Sequence, residues 1–408
     1  MVRTQEAINH KKIEKQFISI ISANFDDSRS AADWDTLKEI DWSAVFQSPS
    51  VIELLSLVYF TLKKYDRLDQ VPAVSVARLE TAYLGSVKQD LLQLHEFGSV
   101  LQALNNASID VVVFKGAAFM ETVYPQIGLR PMHDIDFLIE NRSQLSTVSK
   151  TLREIGFYPL NKERNDLFID AVIYEATFKQ NNPPWTTVDI HYALPYIGFQ
   201  KNQKGLRFTE RVWQNACSAE IGGEHAWLMA PEDTIPTIIA HDLLQHRMER
   251  LRLYCDLGFL IKTNDVDWSK VVSNLTGSPA APYIAHALRR ARDAFKIPVP
   301  VETLDECDRL AGSTGIFRQI IADHSSLMHV NLWDSLSEAE TITRKLRLLA
   351  RYVFPSKNYM KQAYKATSKW RLLLLYAYRP CNIAAQSIKL VWNALVKSSR
   401  GDEQSGLL

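Results

Sequence analysis

The segment Asp134-Ile135-Asp136-Phe137-Leu138-Ile139 constrains this chain more than any other. Acidic and apolar residues alternate with the period of a β-strand, so Asp134 and Asp136 share one face while Ile135 and Phe137 share the other. The apolar face requires a packed sheet. The acidic face sets two hard oxygen ligands side by side, which suits Mg²⁺, an ion that takes one or two carboxylates and fills its shell with water and substrate phosphates.

The surroundings fit a sheet. The texture changes at Ile109, and Asp110-Val111-Val112-Val113-Phe114 reads as a buried strand closed by Lys115-Gly116. Ala117 to Tyr124 reads as a short helix stopped by Pro125, followed by a loop carrying Gly128, Arg130 and Pro131. Ser143 is the expected cap of a helix over 144–155, ended by Gly156. Two more strands are expected, Val172 to Phe178 and Thr186 to Tyr192, separated by the turn-forming Asn181-Asn182-Pro183-Pro184.

Helices are expected on both sides. Val51 to Phe60 is apolar enough for a buried helix, and Asp90 to Leu104 has helical spacing up to Asn105-Asn106. From Pro231 the pattern is helical again, with Glu232 and Asp233 in a first turn, where they complement the helix dipole. Further helices are expected over 252–263, 267–275, 281–294 and 315–327 and across a basic C-terminal segment. The expected fold class is therefore α+β, a small mixed sheet flanked by helices. Its expected divisions are an N-terminal helical region (1–106), the sheet-bearing core (107–230), a helical domain (231–335) and a basic helical segment (336–408).

Charge distribution separates that last segment. Residues 341–400 hold 13 Lys and Arg and no Asp or Glu, whereas residues 1–340 hold 34 basic and 44 acidic residues. The expectation is a solvated helix face packing on the acidic body; the alternatives are binding of an acidic peptide, of nucleic acid or of an anionic membrane surface. Cys217, Cys255, Cys307 and Cys381 lie far apart without a CxxC pair, which excludes a zinc knuckle and fits a reducing compartment. The polar start of the chain carries no secretory signal pattern. The run Leu372 to Tyr378, bounded by Arg371 and Arg379, falls far short of the ~20 apolar residues of a membrane span. A cytoplasmic location is expected.

Asp189 adds a third carboxylate. Val188 and Ile190 face a core, so Asp189 points the other way, alongside His191. If its strand lies beside Asp134-Ile135-Asp136, three carboxylates converge and can hold two metal ions roughly 4 Å apart for an in-line phosphoryl displacement. Asp134 and Asp136 would bridge the metals, and Asp189 would ligate the metal that activates an acceptor hydroxyl and take up its proton. Lys115-Gly116, at a strand-to-helix junction, is a natural phosphate seat, with Lys115 or Arg130 neutralising phosphate oxygens.

Phe114-Lys115-Gly116-Ala117-Ala118, Tyr124-Pro125 and Gly128 to Ile139 together resemble the signature of the uncharacterised nucleotidyltransferase family in the DNA polymerase β-like superfamily. Val188-Asp189-Ile190-His191 resembles its third-carboxylate strand. Ala230-Pro231-Glu232-Asp233, with His241, Arg252 and Asp256, is similar to its helical portion. The resemblance is specific over about 110–140 and looser to about 270. It implies a polymerase β-like mixed sheet, Mg²⁺ and a nucleoside triphosphate such as ATP, with nucleoside monophosphate passing to a hydroxyl or phosphate acceptor. The resemblance does not itself supply the acceptor; some similar proteins accompany peptide-modifying gene clusters, which suggests a peptide or small molecule, and the acidic body counts against nucleic acid. The glycine-serine pair usual in the wider superfamily appears here as Gly116-Ala117, at a long distance from Asp134.

Simpler roles stand beside these. His191 is either a nucleotide contact or a satisfied structural histidine. His241 and His246, five apart, do not share a helix face and make no zinc site. Asp242 and His246 are spaced for a helix-surface pair, and Arg252 and Asp256 for a salt bridge. The alternative functions are a regulatory protein that keeps the fold and binds nucleotide without turnover, and a nucleic-acid-processing nucleotidyltransferase that uses the basic segment as its grip, against which the acidic body counts.

Overall fold

The computed structural model describes residues 2–26, 34–132, 134–160, 175–181, 186–194, 204–246, 249–276, 278, 280–312, 336, 341–364 and 368–399. The expected helix over 315–327 and His133 lie outside them, as does most of the expected 181–184 turn.

The N-terminal part is helical: α1 (Val2–Ser22), α2 (Leu55–Lys64) and the long α3 (Ala73–Asn106). α3 begins directly after Pro72, whose fixed φ suits a helix start. The sheet region follows as β1 (Val111–Val113), α4 (Gly116–Thr122), β2 (Asp134–Ile139), α5 (Leu145–Glu154), β3 (Phe157–Pro159), β4 (Glu175–Gln180), β5 (Thr187–His191), α6 (Lys204–Asn215), β6 (Cys217–Ile221) and β7 (Glu224–Leu228). Next come α7 (Pro231–Ala240), a π-helical turn (His241–His246), α8 (Leu251–Thr263), α9 (Trp268–Leu275), α10 (Ala281–Phe295) and α11 (Val301–Gly312). The basic segment forms α12 (Ile342–Val353), α13 (Lys357–Ala363) and α14 (Lys369–Ser399). No described helix is long and apolar enough to cross a membrane.

The sheet has seven strands in the order β3-β4-β5-β2-β1-β7-β6. β2 pairs parallel with β5 and β1 parallel with β7; the other pairings are antiparallel, so the sheet is mixed and the fold is α+β. Ile135, Phe137, Val188, Ile190 and Phe178 form one fully buried face, and Phe137 stacks on Phe97 of α3 at 5.4 Å. Burying such side chains stabilises by about 1.5–3 kcal/mol each. One continuous core runs from Phe17 and Ile20 of α1 through the sheet to Leu288 and Phe295 of α10. A separate small core around Met360 and Leu372 belongs to the basic segment.

Sequence expectations and structure differ in several places. The β6–β7 hairpin was not anticipated; it turns on Gly222 (φ +62) and Gly223 (φ +77), the two positive φ values that a tight hairpin turn needs. Asn141, not Ser143, caps the helical segment before α5: its side chain accepts from the Ser143 backbone while Gln144 reaches back to the Asn141 N–H. α3 starts well before Asp90, because its first half packs through a few residues such as Leu79 while Val74 and Leu84 stay exposed.

Candidate functional site

β1 and β2 are antiparallel, so the end of β1 and the start of β2 lie at the same edge of the sheet. The pairing of Val113 with Phe137 sets Lys115 and Gly116 beside the two acids of β2. Lys115, at the junction into α4, carries a φ of +59 although it is not glycine, a conformation that costs about 1–3 kcal/mol. Gly116 serves closeness instead: a Cβ there would lie 3.2 Å from the Asp134 carbonyl oxygen and 3.3 Å from Met132 Sδ.

Asp136 is buried at 7% exposure, with two polar neighbours on one oxygen. Lys115 Nζ lies 3.4 Å from Asp136 Oδ1 and His191 Nε2 lies 2.9 Å from the same atom. Burial pushes the Asp136 carboxyl up, but the Lys115 ammonium and the His191 hydrogen bond outweigh it and hold the group well below the usual carboxylate range. His191 is itself buried, its Nδ1 3.6 Å from Glu175 Oε2 and its ring edge-on to Phe114. Burial opposes its charge, yet the bond to Asp136 and the Glu175 carboxylate raise its pKa above that of a free imidazole. Asp134 is exposed at the start of β2.

The parallel β2–β5 register pairs Asp136 with Asp189, and in-register neighbours point to the same side of a sheet. Asp189 Oδ1 is buried and has no hydrogen-bond partner among the described residues. Burial first, then the Asp136 and Glu175 charges, raise its carboxyl to about 6 against the opposing Thr177 hydroxyl and His191.

A cavity opens in front of this edge. One wall is Lys115, Gly116, Arg130, Pro131, Asp134 and Asp136; the other is Ile238, His241, Asp242, Arg250, Arg252, Leu253 and Asp256 from the helical layer. Asp189 and His191 stand behind Asp136 and do not line it. Arg130 is buried and held by a fork, with Nε donating to Asp256 Oδ1 at 2.8 Å and Nη2 to Oδ2 at 3.0 Å. The Tyr124 hydroxyl donates to the same Oδ1 at 2.8 Å. Behind the Arg130 loop, Gly128 N–H donates to Asp90 Oδ2 at 3.1 Å. Gly128 has φ +91, and a Cβ there would strike Val87 Cγ2 at 2.3 Å.

The helical wall is the part that sequence reasoning largely missed. α7 runs into the π-helical turn that carries His241 and Asp242, and such turns recur at functional sites. Arg250 Nη2 donates to Asp242 Oδ1 at 2.6 Å; burial raises that carboxyl, and His241 and Arg250 pull it well below its usual range. The expected Arg252–Asp256 bridge does not form: Arg252 Nη1 lies 3.1 Å from Glu53 Oε2, and Asp256 belongs to Arg130. Asp242 pairs with Arg250; the side chain of His246, its expected i,i+4 partner, lies outside the described residues. Glu53 and Arg250 carried no local signal, because their partners come from distant elements or across an irregular turn.

Among the described residues no three His, Cys, Asp or Glu side chains are grouped as a ready metal cage. The donor set nevertheless fits a hard divalent cation. Asp134 and Asp136 offer carboxylate oxygens to the cavity, and Asp189 keeps an unpartnered buried oxygen beside them.

An α+β protein with strand-borne carboxylates facing an arginine-bearing helical wall across a cavity has the parts to handle phosphate esters. The chain belongs to the family of uncharacterised nucleotidyltransferases, whose model matches residues 38–296. Among solved structures it is similar to an antigenic nucleotidyltransferase-like protein from Paracoccidioides brasiliensis, at 14% identity over 52% of this chain and 95% of that chain, with a TM-score of 0.35. That likeness is too distant to carry an argument. No curated protein matches the sequence.

Proposed function

We propose that the protein transfers a nucleoside monophosphate from a nucleoside triphosphate to a hydroxyl or phosphate group of a peptide or small molecule, releasing pyrophosphate. The carrying observation is the convergence of Asp134, Asp136, Lys115 and Arg130 on one cavity in a chain of this family. An acceptor oxygen attacks the α-phosphorus, the bond from that phosphorus to the bridging oxygen breaks, and the acceptor's proton leaves to a base. Asp134, Asp136 and Asp189 would hold Mg²⁺, which neutralises the triphosphate and the charge that develops on the leaving pyrophosphate.

The side chains have separate tasks. Lys115 and His191 keep Asp136 ionised and fixed in one orientation. Lys115 has three donors, and those not engaged by Asp136 are available to phosphate oxygens. Arg130, held in place by Asp256, whose Oδ1 also accepts from Tyr124, sets its guanidinium in the cavity wall. Asp189, which does not itself line the cavity, would take the acceptor's proton through one water. The test is pyrophosphate release from each nucleoside triphosphate with Mg²⁺, monitored with candidate peptides and small-molecule hydroxyls. Asp136→Asn should abolish release while the circular-dichroism melt persists; an undiminished rate defeats the assignment.

One observation favours a second reading, nucleotide binding without turnover: Asp136 is already engaged by Lys115 and His191, and no three-carboxylate cage is preformed. Saturable nucleotide binding with no pyrophosphate across a broad acceptor screen would select it.

A further inference from the structure

We propose that residues 341–399 form a docking module for an anionic membrane surface. The module is a folded unit, not a tail. Met360 and Leu372 form its own small core, with Tyr359, Tyr364, Leu375 and Tyr376 packed around it. Arg379, buried on α14, ties its helices together. Its Nε and Nη2 donate to the Tyr352 carbonyl of α12 at 3.2 and 3.0 Å, and its Nη1 donates to the Tyr364 hydroxyl at 2.8 Å. The guanidinium also faces the rings of Tyr352, Tyr359 and Tyr364 at 5.5–5.9 Å.

With that inner face satisfied, two helices turn apolar stripes outward. On α12, Ile342, Leu346 and Leu349 follow helical spacing and are all exposed, with Phe354 exposed just beyond. Arg344, Arg347 and Arg351 occupy the opposite side of the same helix and are exposed too. On α14, Trp370 (79% exposed), Leu373, Leu374 (71% exposed) and Tyr378 make a second outward stripe, on the side of the helix opposite the buried Leu372 and Arg379. Soluble surfaces scatter such residues singly; contiguous stripes mark a surface that is covered in use.

Charge selects the cover. The segment 341–400 holds 13 basic and no acidic residues. A second copy of the same face would bring like charge against like. Nucleic acid would satisfy the arginines but give Ile342, Leu346, Leu373 and Leu374 nothing apolar to enter. A bilayer rich in anionic headgroups meets both needs: leucines and isoleucine enter the acyl boundary, tryptophan and tyrosine sit at the headgroup level, and the arginines and lysines of the polar side reach toward phosphate on their long stems. The helices lie on such a surface rather than cross it, since none of the described ones is long and apolar enough to span.

The experiment is co-sedimentation of the full chain with phosphatidylcholine vesicles containing none or about a third of phosphatidylglycerol. The expected result is binding to the anionic vesicles alone, weakened by added salt. Arg344→Gln with Arg347→Gln and Arg351→Gln should lower partitioning by on the order of 100-fold. Trp370→Ser with Leu373→Ser and Leu374→Ser, which leaves the charge intact, should lower it as well. The melting transition of each variant shows whether it is folded. Independently, brominated lipid should quench tryptophan fluorescence in the parent protein, and Trp370→Phe should remove that quenched component. Equal binding to neutral vesicles, no binding to either, or RNA binding with indifference to vesicles overturns the proposal. So does self-association that disappears in the triple-serine variant.

Discussion

Burial by itself would raise the Asp136 carboxyl; Lys115 and His191 reverse the sign. His191 therefore acts through Asp136, while the Glu175 carboxylate, 3.6 Å from its other ring nitrogen, favours its charged form. His191→Asn is expected to lower the turnover number for pyrophosphate release by about 10–100-fold with little change in nucleotide KM, as removal of a ligand's supporting partner does. A rise in KM at constant turnover would instead make the histidine a substrate contact. Asp90 gives a prediction of opposite character. Burial raises its carboxyl to about 6, against the opposing hydrogen bonds from the Gly128 and Met132 backbones and the charge of Arg130. As pH climbs, the unfolded chain loses this proton first, near about 4. Stability from Asp90 is thus present below that pH and declines until the folded-state group titrates near 6. Asp90→Asn keeps an acceptor for the Gly128 N–H and carries no charge, so its melting temperature should gain on the parent protein across this window. An unchanged difference between the two melting curves would show that Asp90 titrates normally.

Within α3 two glycines separate helix propensity from packing. Gly85 has nothing within 4 Å of a built Cβ, whereas a Cβ on Gly98 would lie 2.7 Å from the Gly222 carbonyl oxygen. Gly85→Ala should stabilise by about 0.5–1 kcal/mol. Gly98→Ala gains the same propensity but drives a methyl into the backbone of the β6–β7 turn, and overpacking of about 1–3 kcal/mol wins. Denaturant midpoints moving in opposite directions would bear this out; equal shifts would mean the hairpin yields freely. The same elements show what was legible beforehand. β1, β2 and β5 were readable because β-branched or alternating residues mark a strand with a buried face. β6 and β7 were not, since β6 is the edge strand, β7 its neighbour, and both carry mostly exposed or half-exposed residues. The signal that would have found them was Gly222-Gly223 between two short runs. At the site, Lys115, Arg130, Asp134 and Asp136 were singled out from sequence and share a cavity. Of the opposite wall, His241, Asp242, Arg252 and Asp256 were named but not as parts of a cavity, and Arg250 not at all, because the partners of Arg250 and Arg252 are set by a π-helical turn and by Glu53 from the N-terminal region.

Across the whole molecule, Arg130 and Asp256 join the loop before β2 to α8 through a buried fork. Asp256→Ala would leave the guanidinium buried without a partner and should cost about 3–5 kcal/mol in denaturant unfolding. Combining it with Arg130→Met should recover part of that loss; a double variant as weak as the single one would show that packing, not charge, is at stake. Sheet order has a consequence of another kind. β5 is inserted between β2 and β4, parallel to one and antiparallel to the other, so the strand bearing Asp189 joins the sheet from the inside. A chain still emerging from the ribosome displays Asp134 and Asp136 on a strand with one side unpaired until residues 187–191 slot in. Such non-local pairing forms slowly. An interrupted translation product therefore carries Asp134 and Asp136 on a strand that still lacks its Asp189-bearing neighbour, and the site proposed above is complete only once the polypeptide has closed its sheet.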